Sequence, residues 1–205
     1  MMNKASIRHL LLDLGGVLYE IDIAKTVQTY NGLRHPGAPE IDYSKASQHA
    51  FFDQLDQGKI EIDDFAKGLR DAYQLDAELD LVKQIWMDLL IGVLPGRADD
   101  MEQLAQYYNI ALLSNTSRFH HDFYREACDP MFRHMDHLFF SFDMGLRKPD
   151  AEIYLAALTQ MGWKAEETLF VDDSWTNIEA AQQLGIQTYW METHDHWQGL
   201  MTALV

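Results

Sequence analysis

The sequence predicts an α/β chain, a Rossmann-like parallel sheet core with a helical segment inserted after strand 1. Three observations carry this. The run Leu10-Leu11-Leu12-Asp13-Leu14-Gly15-Gly16-Val17-Leu18-Tyr19 reads as a short buried strand that delivers a carboxylate and then turns tightly. From about residue 21 to 93 the pattern changes to long amphipathic stretches with few β-branched runs. Beyond Leu94-Pro95-Gly96, short apolar runs alternate with helical patterns, which implies right-handed βαβ units and a parallel sheet.

Taken in order, the first strand ends at Asp13, placing it at the carboxyl edge of the sheet, where open α/β sheets bind ligands. Gly15 and Gly16 remove side chains where the backbone comes close to something, and successive N–H groups of such a loop can form an anion nest. Three or four helices follow. Ala46, Phe51, Phe52 and Leu55 recur at helical spacing before Gly58; Phe65, Leu69, Ala72 and Tyr73 make a second stripe; Leu79, Val82, Ile85, Trp86, Leu89 and Leu90 make a third. The loop His35 to Pro39 separates the first helix from this group.

In the second half, a helix over Ala98 to Tyr108 leads to strand Ile110 to Leu113 and then Ser114-Asn115-Thr116. A helix around His121 to Ala127 precedes strand Leu138 to Phe142 and the loop Gly145 to Asp150, which contains Arg147 and Lys148. Helix Ala151 to Met161 leads to strand Thr168 to Val171, ending in Asp172-Asp173. A last helix through Ile178, Ala181 and Leu184 stops at Gly185, and Ile186 to Trp190 supplies a final strand.

Composition narrows the function classes. The 205 residues are enough for a sizeable core, and 47% hydrophobic residues argue for a globular protein. A net charge of -16 repels nucleic acid and anionic membranes at long range, so neither is an expected partner, and a phosphorylated substrate needs locally placed cations or a metal. No stretch approaches a membrane span, and the apolar run near Lys4 and Arg8 is too short for a secretion signal. The single Cys128 cannot form an intramolecular disulfide, so a reducing cytoplasm is the expected compartment. Nothing in the sequence identifies a protein partner.

Four strand ends carry polar groups of complementary type: Asp13, Ser114 with Asn115, Lys148, and Asp172 with Asp173. Together they would supply a nucleophile, hydroxyl and amide donors, a cation and metal-binding carboxylates, a set suited to phosphoryl transfer. A carboxylate attacking phosphorus divides the displacement into two steps through an acyl phosphate. Mg²⁺, a hard ion that prefers carboxylate and water oxygens, offsets the repulsion between anionic nucleophile and phosphate. Lys148, Ser114 and Asn115 can stabilise the equatorial oxygens. The loop position of Lys148 suggests chemistry more than core support.

In motif order the sequence resembles the haloacid dehalogenase superfamily of phosphohydrolases. Asp13 in Asp-Leu-Gly-Gly-Val matches the first motif and its aspartyl nucleophile, and Ser114 in Leu-Leu-Ser-Asn-Thr matches the second. Lys148 in Arg-Lys-Pro-Asp matches the third, and Asp173, with Asp172 before it and Asn177 four residues on, matches the acidic fourth. The resemblance implies a core of residues 1–18 and 94–205, with 19–93 as a helical cap. It implies catalysis by Asp13 and Lys148, phosphate binding by Leu14, Gly15, Ser114, Asn115 and Lys148, and Mg²⁺ held by Asp13, the Gly15 carbonyl, Asp173 and Asp172. The expected substrate is a small phosphorylated metabolite, most plausibly a sugar phosphate, since some bacterial sugar-phosphate phosphatases of the superfamily look similar, with Asp-Leu-Gly-Asn-Val in the first motif.

One departure stands out. Phosphatases and phosphomutases of the superfamily usually carry a second aspartate two residues after the nucleophile as general acid and base, and here that position is Gly15. Glycine cannot move a proton, so the acid–base role is unassigned; Glu20 and Asp22 are the nearest carboxylates, with hinge and helix-capping roles as their ordinary reading. A phosphomutase is the alternative within the superfamily, and a catalytically silent phospho-ligand or protein-binding module is the alternative outside enzymes. His120 and His121, being adjacent, do not make a helical metal site, and Trp163 and Trp175 read as packing or loop-covering residues.

Overall fold

The computed structural model describes residues 3–41 and 50–205. Its elements are strands β1 (His9–Leu12) and β2 (Tyr19–Ile21), helices α1 (Ile23–Gly32), α2 (Ala50–Asp56), α3 (Ile62–Tyr73) and α4 (Leu79–Met87), and strand β3 (Leu90–Val93). Then come α5 (Arg97–Leu104), β4 (Asn109–Ser114), α6 (Arg118–Phe132), β5 (His137–Phe140), α7 (Ser141–Met144), α8 (Ala151–Met161), β6 (Thr168–Asp172), α9 (Trp175–Gln183), β7 (Gln187–Trp190) and α10 (His196–Leu204). Five strands form one parallel sheet in the order β5-β4-β1-β6-β7.

Alternation along the strands explains why both faces are covered. Leu10 and Leu12, with Ile110, Leu112, Leu169 and Val171, point to the face packed by α5, α6 and α10, while Leu11, Ala111, Leu113 and Phe170 point to α8 and α9. The strand order reverses at β1: β4 and β5 lie on one side, β6 and β7 on the other. A crevice therefore opens at the carboxyl ends of β1, β4 and β6, where such sheets take ligands.

The helical insertion has its own core of Tyr30, Phe52, Leu55, Phe65, Leu69, Val82 and Trp86. The Tyr30 hydroxyl donates to the Val82 carbonyl at 2.7 Å, joining α1 to α4. Two short antiparallel strands, β2 and β3, connect this unit to the sheet, with an irregularity between Glu20 and Ile21.

Several boundaries differ from the sequence reading. Helix α4 ends at Met87, so Leu89 lies in the turn beyond it and Leu90 belongs to β3, where pairing with Ile21 takes over. Strand β5 stops at Phe140, and Ser141 and Phe142 start the short α7. Helix α5 ends at Leu104, four residues early, in a turn through Tyr107 and Tyr108. The helix at Leu184 is not the last: Trp197, Leu200, Met201 and Leu204 bury one face of α10. Ala46 lies outside the described residues.

Candidate active site

The Asp13 N–H donates to the Val171 carbonyl at 2.9 Å, extending the β1–β6 ladder by one rung and fixing Asp13 at the crevice. The chain then folds back on itself: the Leu14 carbonyl accepts from the N–H groups of Leu18 and Tyr19, each at 2.8 Å. Gly16 adopts φ +72°, and a Cβ there would sit 2.2 Å from Asp173 Oδ2. This is the close approach for which the second glycine is needed. The Gly16 N–H donates to the Tyr19 carbonyl at 2.9 Å, so an anion nest in this loop cannot include it, contrary to the sequence expectation.

Lys148 is not a solvated loop cation. It is 1% exposed, and its Nζ lies 2.8 Å from Asp13 Oδ1 and 2.7 Å from Asp172 Oδ2, tying β1 to β6. The side chain of Asn115 clamps its backbone, with Nδ2 donating to the Lys148 carbonyl and Oδ1 accepting from the Lys148 N–H, both at 2.9 Å. Lys148 thus supports the core as well as facing the site. Asp172 is fully buried; its Oδ1 accepts from the Ser174 N–H at 2.8 Å and from Asn177 Nδ2 at 3.0 Å. Ser114, at the end of β4, is buried and lines the same cavity.

Oxygens of Asp13, Asp172 and Asp173 lie within 4.8 Å of one another. Three carboxylates against one ammonium leave excess negative charge in a poorly solvated place, which the protonation tendencies reflect. Burial raises the Asp13 carboxyl well above its ordinary value; Lys148 opposes this, and Asp172 and Asp173 add to it. Asp173 opens to the cavity but is crowded on its other sides, and loss of solvation, then Asp172, pushes it up to about 6. Burial pulls the Lys148 ammonium down, but Asp13 and Asp172 together outweigh it, so its pKa is raised and it stays charged. A divalent cation with oxygen preference fits this donor set.

Asp13 and Asp173 form the floor of a cavity of about 400 Å³, with Lys148 and Asp172 buried behind them, and Ile21, Ile23, Asp56, Trp86, Leu89 and Leu90 roof it. Asp56 and Arg147 were not singled out by the sequence reading. Asp53 and Asp56, three residues apart on α2, face the same way, and both form ion pairs with Arg147, the Asp56 pair at 3.3 Å. Arg147 lines the cavity, and its buried Nε has no hydrogen-bond partner among the described residues. Its place beside Lys148 was the one available signal; which face of α2 meets the core leaves no trace in the sequence.

The other candidates fall elsewhere. Asp22 caps α1, accepting from the Lys25 N–H at 2.8 Å, and Glu20 is an exposed residue of β2. His120 Nε2 meets the Trp86 carbonyl at 3.0 Å, and burial lowers its pKa to about 4, so it is a neutral contact between α6 and α4. Trp163 stacks on His9 with centroids 4.5 Å apart, and Trp175 packs against Trp190 at 5.1 Å.

The parallel sheet thus presents a lysine-bridged aspartate at its carboxyl edge beneath a helical roof, a combination that suits a hydrolase. The family profile for haloacid dehalogenase-like hydrolases matches residues 7–185, and the chain belongs to that family. It is 31% identical to D-ribitol-5-phosphate phosphatase of Bacteroides thetaiotaomicron, over 97% of this chain and 98% of that one. A HAD family enzyme of the same organism, solved with magnesium and inorganic phosphate, superposes with a TM-score of 0.73 at 26% identity, covering 90% of this chain and 93% of that one. A HAD-like hydrolase of Porphyromonas gingivalis superposes with a TM-score of 0.80 at 25% identity, covering 97% and 98%.

Proposed function

We propose that this chain is a Mg²⁺-dependent phosphatase that hydrolyses a small phosphorylated metabolite, a sugar or polyol phosphate, through an aspartyl phosphate on Asp13. The observation that carries this is the buried Asp13–Lys148–Asp172 bridge behind the floor of a roofed cavity that Asp13 and Asp173 line. Core residues 1–18 and 94–205 would supply the chemistry and cap residues 19–93 the roof. Asp13, Asp172, Asp173 and the Gly15 carbonyl would hold the metal, which when bound neutralises charge between nucleophile and phosphate. Asp13 attacks phosphorus as the ester oxygen departs, and water then cleaves the acyl phosphate. Lys148 and Ser114 stabilise the equatorial oxygens, with Leu14 and Gly15 lining the phosphate pocket, and Asn115 holds Lys148 in position.

The hydroxylated leaving group is suggested by the relative that acts on D-ribitol 5-phosphate. No helix among the described residues is long and apolar enough to cross a membrane. A cytoplasmic location fits the lone buried Cys128.

Phosphate release from a panel of sugar and polyol phosphates, with and without EDTA, tests the reading. Activity should vanish on chelation and return with Mg²⁺; undiminished release by demonstrably metal-free enzyme would refute it. Gly16→Ala should raise the Mg²⁺ concentration for half-maximal activity by about 10- to 100-fold, because the new Cβ displaces the Asp173 carboxylate. An unchanged Mg²⁺ requirement would show that this approach is not part of the metal site.

A further inference from the structure

We infer that Asp56, reaching the cavity from cap helix α2, is the general acid and base that Gly15 cannot be. The inference rests on the phosphatase reading above and names the group that reading leaves open.

The usual place for a proton carrier is not merely empty of one. Glycine has no group to exchange a proton, and a Cβ on residue 15 would make a tight 3.1 Å contact with the end of the Ile21 side chain. Any acid must therefore come from elsewhere in the cavity wall. Apart from the metal-binding acids, the wall offers few side chains able to exchange a proton: Asp56, His120, Tyr19 and Tyr124. His120 is committed through Nε2 to the Trp86 carbonyl. Burial raises both tyrosines further above their already high values, so neither hydroxyl serves as a base near neutrality.

Asp56 has the remaining requirements. It lines the cavity that holds Asp13, and the charge of Lys148, the residue bonded to Asp13, acts on it directly. Arg147 holds Oδ2 at 3.3 Å, which leaves Oδ1 for another partner. The charged groups around it are Arg147, Asp53 and Lys148. Burial raises its carboxyl to about 6, against the pull of Arg147 and with the help of Asp53, so both protonation states are populated near neutrality.

In the first step the Asp56 carboxylic acid gives its proton to the bridging ester oxygen while the Asp13 oxygen–phosphorus bond forms and the ester oxygen–phosphorus bond breaks, releasing the alcohol. In the second, water attacks phosphorus and gives its proton to the Asp56 carboxylate. The bond from phosphorus to Asp13 breaks, which frees inorganic phosphate and restores both side chains.

The test compares p-nitrophenyl phosphate, whose leaving group needs no proton, with D-ribitol 5-phosphate, whose alkoxide does. Asp56→Asn should lower kcat/KM, which reports the first step alone, by roughly 10²- to 10⁴-fold for the alkyl ester and by less than about tenfold for the aryl ester, should lower kcat for both through the shared second step, and should remove the pH–rate limb near 6. Asp53→Asn also breaks an ion pair to Arg147 and should change the two esters equally and little. In wild type, across a series of aryl and alkyl esters, kcat/KM should depend only weakly on leaving-group acidity. An equal loss of kcat/KM on both esters in Asp56→Asn, no loss on either, or steep wild-type dependence would overturn the assignment. Wild-type enzyme that releases phosphate from neither ester would instead remove the phosphatase reading beneath it.

Discussion

Asp13→Asn should lower phosphate release on the order of 10⁴-fold or more while leaving the protein folded. The amide has nearly the same shape but cannot attack phosphorus. Its neutrality also removes a charge that burial and two neighbouring carboxylates disfavour. The melting temperature of the metal-free variant should therefore match or exceed that of wild type, with Lys148 still paired to Asp172. Acid quenching of wild type during turnover of ³²P-labelled substrate should trap label on the protein, and the variant should trap none. Release at the wild-type rate by Asp13→Asn would end the covalent mechanism.

Lys148→Met carries the second large effect, and it falls on stability as well as rate. The ammonium sits between two carboxylates and almost out of water, so its removal leaves Asp13 and Asp172 facing each other uncompensated. Breaking a buried pair from one side costs roughly 3–5 kcal/mol, or about 10 °C in melting temperature for a chain of this size. The sign with pH follows from the acids. Asp13 binds its proton more tightly folded than unfolded, so its protonation favours the fold as pH falls, and without Lys148 that preference strengthens. The deficit in melting temperature should thus be largest in alkaline buffer, above the folded Asp13 value of about 8, and narrow as pH falls to that value, in metal-free buffer. A deficit independent of pH would mean that lost packing, not lost charge, explains the instability.

How much of this was legible in the chain follows from where each residue sits. Asp13, Ser114 and Asp172 end apolar runs, and a run of that kind between helical patterns places its last residue at the sheet edge whatever the tertiary details. The site's floor could be read for that reason. Its roof could not: Asp56 and Arg147 meet across more than ninety residues of chain, through the docking of one helix face that amphipathicity describes only as apolar or polar. The burial of Lys148 was equally hidden, since a lysine in a Gly-Leu-Arg-Lys-Pro loop reads as exposed until β1 and β6 close on it. Strand β2 has only three residues, too few for alternation to register. Helix α10 is different, because Trp197, Leu200, Met201 and Leu204 follow helical spacing and the signal was there to be read.

The central position of β1 has a consequence for how the protein is made. His9 pairs with Asn109 on one side and Thr168 on the other, so the strand that ends at Asp13 leaves the ribosome long before either neighbour exists. At roughly 5–20 residues per second, synthesis of the intervening chain takes on the order of ten seconds, during which Leu10, Leu11 and Leu12 have no sheet to join. The helical insertion, whose buried core runs only from Tyr30 to Leu89, has what it needs to collapse first. Nascent chains stalled before β4 should therefore carry a compact insertion beside an unpaired apolar strand, a target for chaperones until β4 and then β6, with Val171 and Asp172, arrive to pair its two edges and close the catalytic floor.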